Sequence, residues 1–256
     1  MVIPTTCRAS LMRAVRSVFN QVGVERVHTL IGIDTVRGDD RVIEEILDIR
    51  PAQHAVTVLN LGYSTSIRHG GLYATIDGGA LRTILTYAAN SRHVCYLDDD
   101  NWIGETHIAS LLSAIRDRDW AFTLRWYVDP DTDRLLGIDR WESAGPGEGV
   151  FKNKFGGFVD PNCLMIDKMR CPHVPPLWSV PLKARTPTAD RTVFEALRKA
   201  SAYGATGQAT SYYVTNAHDE NHLFRLNWVK ALEQEQGTAA LSETKPFGPE
   251  WVEAHP

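Results

Sequence analysis

Three consecutive carboxylates, Asp98-Asp99-Asp100, follow the apolar run His93-Val94-Cys95-Tyr96-Leu97, and Asn101-Trp102 closes the stretch. A short apolar run bounded in this way reads as a buried strand. Adjacent acids at its end repel one another unless a cation or hydrogen-bond donors offset their charge. Carboxylates and water suit hard cations such as Mg2+ and Mn2+, which also grip diphosphate oxygens. In extended geometry Asp98 and Asp100 point to one side and can share an ion, while Asp99 points away. The alternative is a solvated acidic turn, or a helix N-terminus that favours acids. Ligands of open α/β sheets sit at the carboxyl ends of the strands, so the surrounding elements decide between the two.

Val2-Ile3-Pro4-Thr5-Thr6 reads as a first strand ending in small hydroxyl residues. Ser10 to Gln21 carries Leu11, Ala14, Val15, Val18 and Phe19 at helical spacing. Val27 to Ile33 is a second strand that stops at Asp34, and Ala55 to Leu61 a third. Helices are expected over Val42 to Ile49, with Ile43, Ile46 and Leu47 inward, and over Leu81 to Ala89. Arg68 sits between them in a loop rich in Gly, Ser and Thr. This alternation predicts a nucleotide-binding parallel sheet with helices on its faces. After the acidic stretch, strands are expected over Trp120 to Val128, Leu135 to Trp141, Gly156 to Val159, Cys163 to Ile166 and Thr210 to Thr215. Helices are expected over Thr106 to Ile115, Ala189 to Ala200 and Asn221 to Gln234. Pro172 to Pro187, with five prolines and Trp178, reads as an irregular surface segment.

With 256 residues, 43% of them hydrophobic and 23% charged, the chain has room for one large α/β domain or two small ones. A net charge of −4 gives no general pull toward nucleic acid or an anionic membrane. The four cysteines, Cys7, Cys95, Cys163 and Cys171, show no CxxC spacing, which argues against a zinc site or disulfide scaffold and fits a reducing compartment. Neither a signal peptide nor a transmembrane run is expected, so a soluble, cytoplasmic protein is predicted.

The first strand, the helix with Ser17-Val18-Phe19-Asn20-Gln21 and the strand ending in Asp34 resemble the opening of family 2 glycosyltransferases. These have the A-type nucleotide-diphospho-sugar transferase (GT-A) fold. Tyr96-Leu97-Asp98-Asp99-Asp100-Asn101-Trp102 looks like that family's metal-binding Asp-any-Asp motif. Arg82 stands where the family often carries an arginine in the preceding helix. Gly156-Gly157 and Cys163-Leu164-Met165-Ile166 resemble its acceptor-side segment, and Ala189-Asp190-Arg191 resembles the acidic helix start that supplies its base. The likeness spans about residues 2 to 230. It departs where Asp34 is followed by Thr35-Val36-Arg37 rather than a second acid and a Gly-Ser turn, and where Thr83 replaces the usual asparagine. Asp190-Arg191 stands in place of the commoner Glu-Asp pair, so either Asp190 or Arg191 can face the reaction centre.

The resemblance implies an α/β fold whose mostly parallel Rossmann-like sheet is continuous with a smaller, mixed α/β acceptor-side region. Residues 1–102 would form the nucleotide-sugar-binding half, 103–235 the acceptor-binding and catalytic half of the same domain, and 236–256 a C-terminal tail. The implied activity is metal-dependent, inverting transfer of a sugar from a nucleotide-diphosphate donor, UDP-linked by preference, to a carbohydrate or other hydroxyl acceptor. A Mn2+ or Mg2+ ion would stabilise charge building on the diphosphate. Asp100 is the expected direct ligand, Asp98 shares the ion or acts through water or ribose hydroxyls, and Asp99 turns to the ribose. Asp34 would accept the uracil imide N–H or a ribose hydroxyl. Thr5, Thr6 and Arg8 would border the same nucleotide, with Thr5 equally suited to cap a helix. Arg82 would reach the diphosphate or order the acidic motif, and Arg68 is a further phosphate candidate. Asp190 would take the acceptor's proton, or simply complement its helix dipole. Some enzymes of this fold add a late histidine to the metal; His218 fits that place, His222 competes, and a surface pair is the alternative. A non-catalytic nucleotide- or carbohydrate-binding protein of the same fold is the other reading. A sugar nucleotidyltransferase is a third, although Thr5-Thr6-Cys7-Arg8 lacks the glycines of a triphosphate loop.

Overall fold

A computed structural model describes residues 1–74, 78–180, 189–217, 219 and 221–236. Through the first hundred residues the apolar positions switch between strand and helix spacing, and the backbone follows. Strands β1 (Val2–Thr5), β2 (His28–Ile33) and β3 (Ala55–Asn60) form a parallel sheet with β2 in the middle. Between them run α1 (Ser10–Phe19) and α2 (Arg41–Asp48), and α3 (Gly79–Ala88) follows β3. The two-residue alternation of side chains puts Ile3, Ile31 and Ile33 in one buried cluster with Leu11, Val15 and Val18 of α1 and Ile46 of α2. Val2 and Leu30 take the opposite face, in a cluster with Leu85 of α3. Leu47 was expected inward, but it lies outside that stripe and is 43% exposed.

The rest of the chain forms the expected mixed region, which also takes in the strand before the acidic turn, expected in the parallel half. It comprises β4 (His93–Cys95), β5 (Trp102–Ile103), α4 (His107–Ala114), β6 (Trp120–Val128), β7 (Leu135–Ile138) and β8 (Gly145–Pro146). Then come α5 (Lys152–Phe155), β9 (Gly157–Phe158), β10 (Leu164–Asp167), α6 (Ala189–Ala200), β11 (Tyr203–Val214) and α7 (His222–Gln236). The second sheet runs β4-β10-β6-β11-β5, with β7 beside β6. Only β6 and β11 pair in parallel; β10 is antiparallel to β4 and β6, β11 to β5, and β7 to β6. Parallel neighbours need a crossover of a dozen or more residues, usually helical. Between β6 and β10 the only described α-helix is the four-residue α5, too short to form a crossover, and β10 returns antiparallel to β6. A bridge from Val2 to Tyr96, with Leu97 N–H donating to Val2 O at 3.0 Å, joins the two sheets.

β11 begins seven residues before the expected Thr210. Gly204 is there for space, since a Cβ would stand 2.0 Å from Ala114 O at the end of α4. Trp178, within the segment expected to be irregular and on the surface, is 1% exposed and packs 4.7 Å from the Tyr96 ring. Residues 181–188 of that segment, and the expected tail beyond Gln236, lie outside the described residues. Among the described residues no helix is long and apolar enough to cross a membrane.

One buried side chain links this core to pH. His107 opens α4 with no exposed surface, and its Nδ1 lies 2.9 Å from Thr210 Oγ1. Burial pushes its pKa down to about 4. Between the unfolded value near 6.5 and that folded value, only the unfolded chain binds the proton, so stability falls as pH drops through this window. The full loss is about 3 kcal/mol. Urea unfolding at pH 7.5 and 5 should show it, and His107→Gln should flatten the dependence. An unchanged slope in that variant would assign the effect to other histidines.

Candidate functional site

The chain does not stay extended through the acidic motif. Asp99 and Asp100 form a turn, which Asn101 N–H closes onto Asp98 O at 3.2 Å. The alternation expected for Asp98 and Asp100 is therefore replaced, and each carboxylate has its own partners. Asn162 grips Asp98 twice: its Nδ2 donates to Asp98 Oδ2 at 2.8 Å, and its Oδ1 accepts from Asp98 N–H at 2.6 Å. Arg82 Nη2 donates to Asp98 Oδ1, so this arginine does order the motif. Asp99 is buried, and its Oδ2 accepts from Thr5 Oγ1 at 2.6 Å and from Thr6 N–H at 3.3 Å. Asp100 stays open, with Arg8 Nη1 donating to its Oδ2 at 2.7 Å.

The loop after β1 is held in place by the loop after β2. Cys7 takes a left-handed φ of 59°, and its N–H donates to Thr5 Oγ1 at 2.9 Å. Thr6 O accepts from the N–H groups of Arg37 and Gly38 at 3.0 and 3.1 Å. A Cβ at Gly38 would lie 1.8 Å from Cys7 O, so only glycine permits this approach. Thr5 is thereby fixed as a link to Asp99; it does not cap α1, which has no side-chain cap.

These elements enclose a cavity of about 610 Å3. Thr5, Thr6, Arg8, Asp34, Arg68, Arg82 and Asp98 to Asp100 all line it. Asp190 lies on the wall contributed by α6. Apart from His222 and Arg191, the fold thus gathers the described residues nominated from the sequence for nucleotide, metal or proton-transfer roles, from Thr5 to Asp190, in one cavity. His218 lies outside the described residues. His222 is not among the lining residues. Arg191 is turned away from the cavity, its guanidinium carbon 3.9 Å from the Phe151 ring centroid, with Phe155 and Phe158 also close. Of the Asp190-Arg191 pair, the acid faces the site.

Asp100 fits a hard cation. Its side chain keeps 48% of its surface, yet protein surrounds it, and this burial followed by the charges of Asp98 and Asp99 pushes its pKa up to about 6. A carboxylate so disfavoured in its charged form gains from a nearby cation, and Arg8 offsets part of that charge here. Among the described residues no three His, Cys, Asp or Glu side chains are grouped to hold an ion. An ion on Asp100 would complete its shell with diphosphate oxygens and water.

An ionic network that the sequence did not disclose reaches the cavity wall at Asp160 and Asp219. Arg125, 2% exposed, donates to Asp139 Oδ2 at 2.8 Å, Asp160 Oδ2 at 2.5 Å and Glu142 Oε2 at 3.1 Å. Arg225 Nε donates to the same Glu142 oxygen at 2.5 Å, and its Nη1 to Asp219 at 2.8 Å. Asp160 Oδ1 also accepts from Asn162 Nδ2 at 2.6 Å. The chain of contacts Arg125–Asp160–Asn162–Asp98 therefore fixes the acidic turn from below. Arg37, Gly38, His69 and Asp219 also line the cavity without having been nominated. A basic or acidic residue in a loop carries no local sign of which cavity it will reach.

A parallel sheet running into a mixed one, with an acidic turn at the junction, is similar to the GT-A fold. The structural likeness is to S. aureus TarS, a family 2 glycosyltransferase of that fold. The TM-score is 0.60 with TarS 1-349 in complex with UDP-GlcNAc, at 12% identity over 87% of this chain and 59% of that one. With the complex of TarS 1-349 with UDP it is 0.56, at 13% identity over 91% and 64%. Against S. aureus TarS it is 0.59, at 12% identity over 90% of this chain and 39% of that one. No protein-family model and no curated protein matches the sequence. At this identity the likeness establishes the fold, and the chain spans 59% of the TarS 1-349 chain first matched.

Proposed function

We propose that this protein is a glycosyltransferase that moves a sugar from a UDP-linked donor to a carbohydrate or other hydroxyl acceptor, with inversion and with Mn2+ or Mg2+. The observation that carries the reading is the meeting, in one cavity, of the acidic turn with Arg8, Arg68 and Arg82 and with Asp190. The likeness to TarS, solved with UDP and with UDP-GlcNAc, supports the nucleotide.

Asp100, with Asp98 beside it, would hold the cation. When bound, that ion supplies a Lewis acid to the diphosphate oxygens on which charge builds. Arg8 and Arg68 meet the same phosphates from the loops after β1 and β3, and preorganised charge of this kind favours the transition state over the ground state. Arg82 holds Asp98 in register. Asp190 removes the proton of the acceptor hydroxyl as the new bond forms. Its Oδ1 accepts from Arg191 N–H at 2.8 Å, which helps fix the carboxylate at the start of α6. Asp190→Asn should bind donor as before and lose transfer by about 100-fold or more. Transfer at the parent rate would place the base elsewhere.

The direct test is a thermal-shift screen with UDP, GDP, CDP and dTDP, each with and without Mn2+. A ligand of the folded state raises Tm by mass action. Metal-dependent stabilisation by UDP is the expected result. Indifference to all four nucleotides would overturn the reading in favour of a non-catalytic protein of this fold.

A further inference from the structure

Asp34 was expected to accept the imide N–H of uracil or a ribose hydroxyl, and in the structure both its oxygens already accept hydrogen bonds. Ser64 Oγ donates to Oδ1 at 2.7 Å, and His69 Nδ1 contacts Oδ2 at 2.7 Å. The side chains of Asp34 and His69 are 9% and 10% exposed, so water competes little for this contact. A carboxylate cannot donate, so the proton between them belongs to His69 Nδ1. In a neutral imidazole that leaves Nε2 as an acceptor, its lone pair in the ring plane. Nε2 is shielded from solvent and, among the described residues, has no hydrogen-bond partner. Buried polar atoms are almost always paired, and this one belongs to a ring that lines the cavity shared with Arg8, Asp99 and Asp100.

We propose that His69 Nε2, fixed in its acceptor tautomer by Asp34, selects the base of the nucleotide. The proposal rests on the nucleotide reading above and deepens it. His69 stands in the loop after β3 against the residue that ends β2, whereas Arg8 and the acidic turn follow β1 and β4. A nucleoside diphosphate with its phosphates at Arg8 and Asp100 directs its base toward His69. Uracil and thymine present an N3–H there, the donor Nε2 lacks. Cytosine presents a bare N3, which would set lone pair against lone pair. Asp34 acts through the histidine, as a positioning residue that holds the tautomer and the ring plane.

Calorimetric titration of UDP and CDP, with Mn2+ present, into the wild-type protein and His69→Phe tests this. Phenylalanine keeps a ring and removes the acceptor. The wild-type protein should prefer UDP by about 10-fold or more, and the variant should lose UDP affinity by a similar factor while CDP affinity stays put. A UDP preference that survives His69→Phe overturns the proposal. Equal binding of UDP and CDP by the wild-type protein overturns it while leaving the nucleotide site standing; binding of neither overturns both. The wild-type ring nitrogens give a readout independent of the variant's folding. Their 15N spectrum should show an unprotonated Nε2 that shifts with UDP and not with CDP, and a protonated Nε2 in the free protein refutes the assignment.

Discussion

Asp100→Ala is expected to fold normally and to lose turnover by about 1000-fold or entirely, with any donor. The division between fold and activity follows from the partners of the three acids. Asp98 is built into the structure through Asn162 and Arg82, and Asp99 through Thr5 and Thr6. Among the described residues, Asp100 pairs with Arg8 alone, and both side chains are about half exposed. Exposed pairs of this kind are worth about 1 kcal/mol or less, so urea unfolding should barely change. The Mn2+-dependent thermal shift with UDP should vanish together with turnover. In the parent protein that shift should weaken as pH falls through about 6, where Asp100 takes up a proton and its attraction for a cation is lost. Full activity in Asp100→Ala would remove the basis for a metal on this turn.

Arg125→Met should have the largest effect on stability, about 3–5 kcal/mol, or a fall in Tm of about 6–20 °C. Arg125 faces Asp139, Asp160 and Glu142, and none of the four side chains is more than 10% exposed. Burial pushes the Asp160 carboxyl up, and the Arg125 charge pulls it back. Without that charge the folded state would take up protons that the unfolded state does not hold. The variant's deficit should therefore shrink as pH is lowered from 8 toward 5, the sign expected for carboxyls whose folded pKa is raised. Because Asp160 also bonds Asn162, and Asn162 bonds Asp98, residual folded enzyme should transfer sugar poorly as well. Chemical denaturation across pH would measure the first effect. A deficit that grows on acidification would mean that the network is not the cause.

The sequence alone determined the opening strand–helix–strand, the acids that end β2 and follow β4, and the helix that carries Asp190. Each rests on a pattern complete within about ten residues: apolar periodicity, a stop signal, a polar residue at a strand end. Arg82 was legible only through the family resemblance, which places an arginine in the helix before the motif. The antiparallel insertion of β10 between β4 and β6 was not legible, because hydrophobic runs record burial and not the direction of the neighbouring strand. Nor was Asn162, which reaches Asp98 across 64 residues of chain only because β10 lies beside β4. Asp34 shows both sides. Its place at the end of β2 was written in the sequence, but its commitment to Ser64 and His69 depends on how the loop after β3 folds back. Local pattern fixes which residues stand at strand ends, whereas strand order and loop closure bring distant donors to them, and those decided how the carboxylates of this site are held.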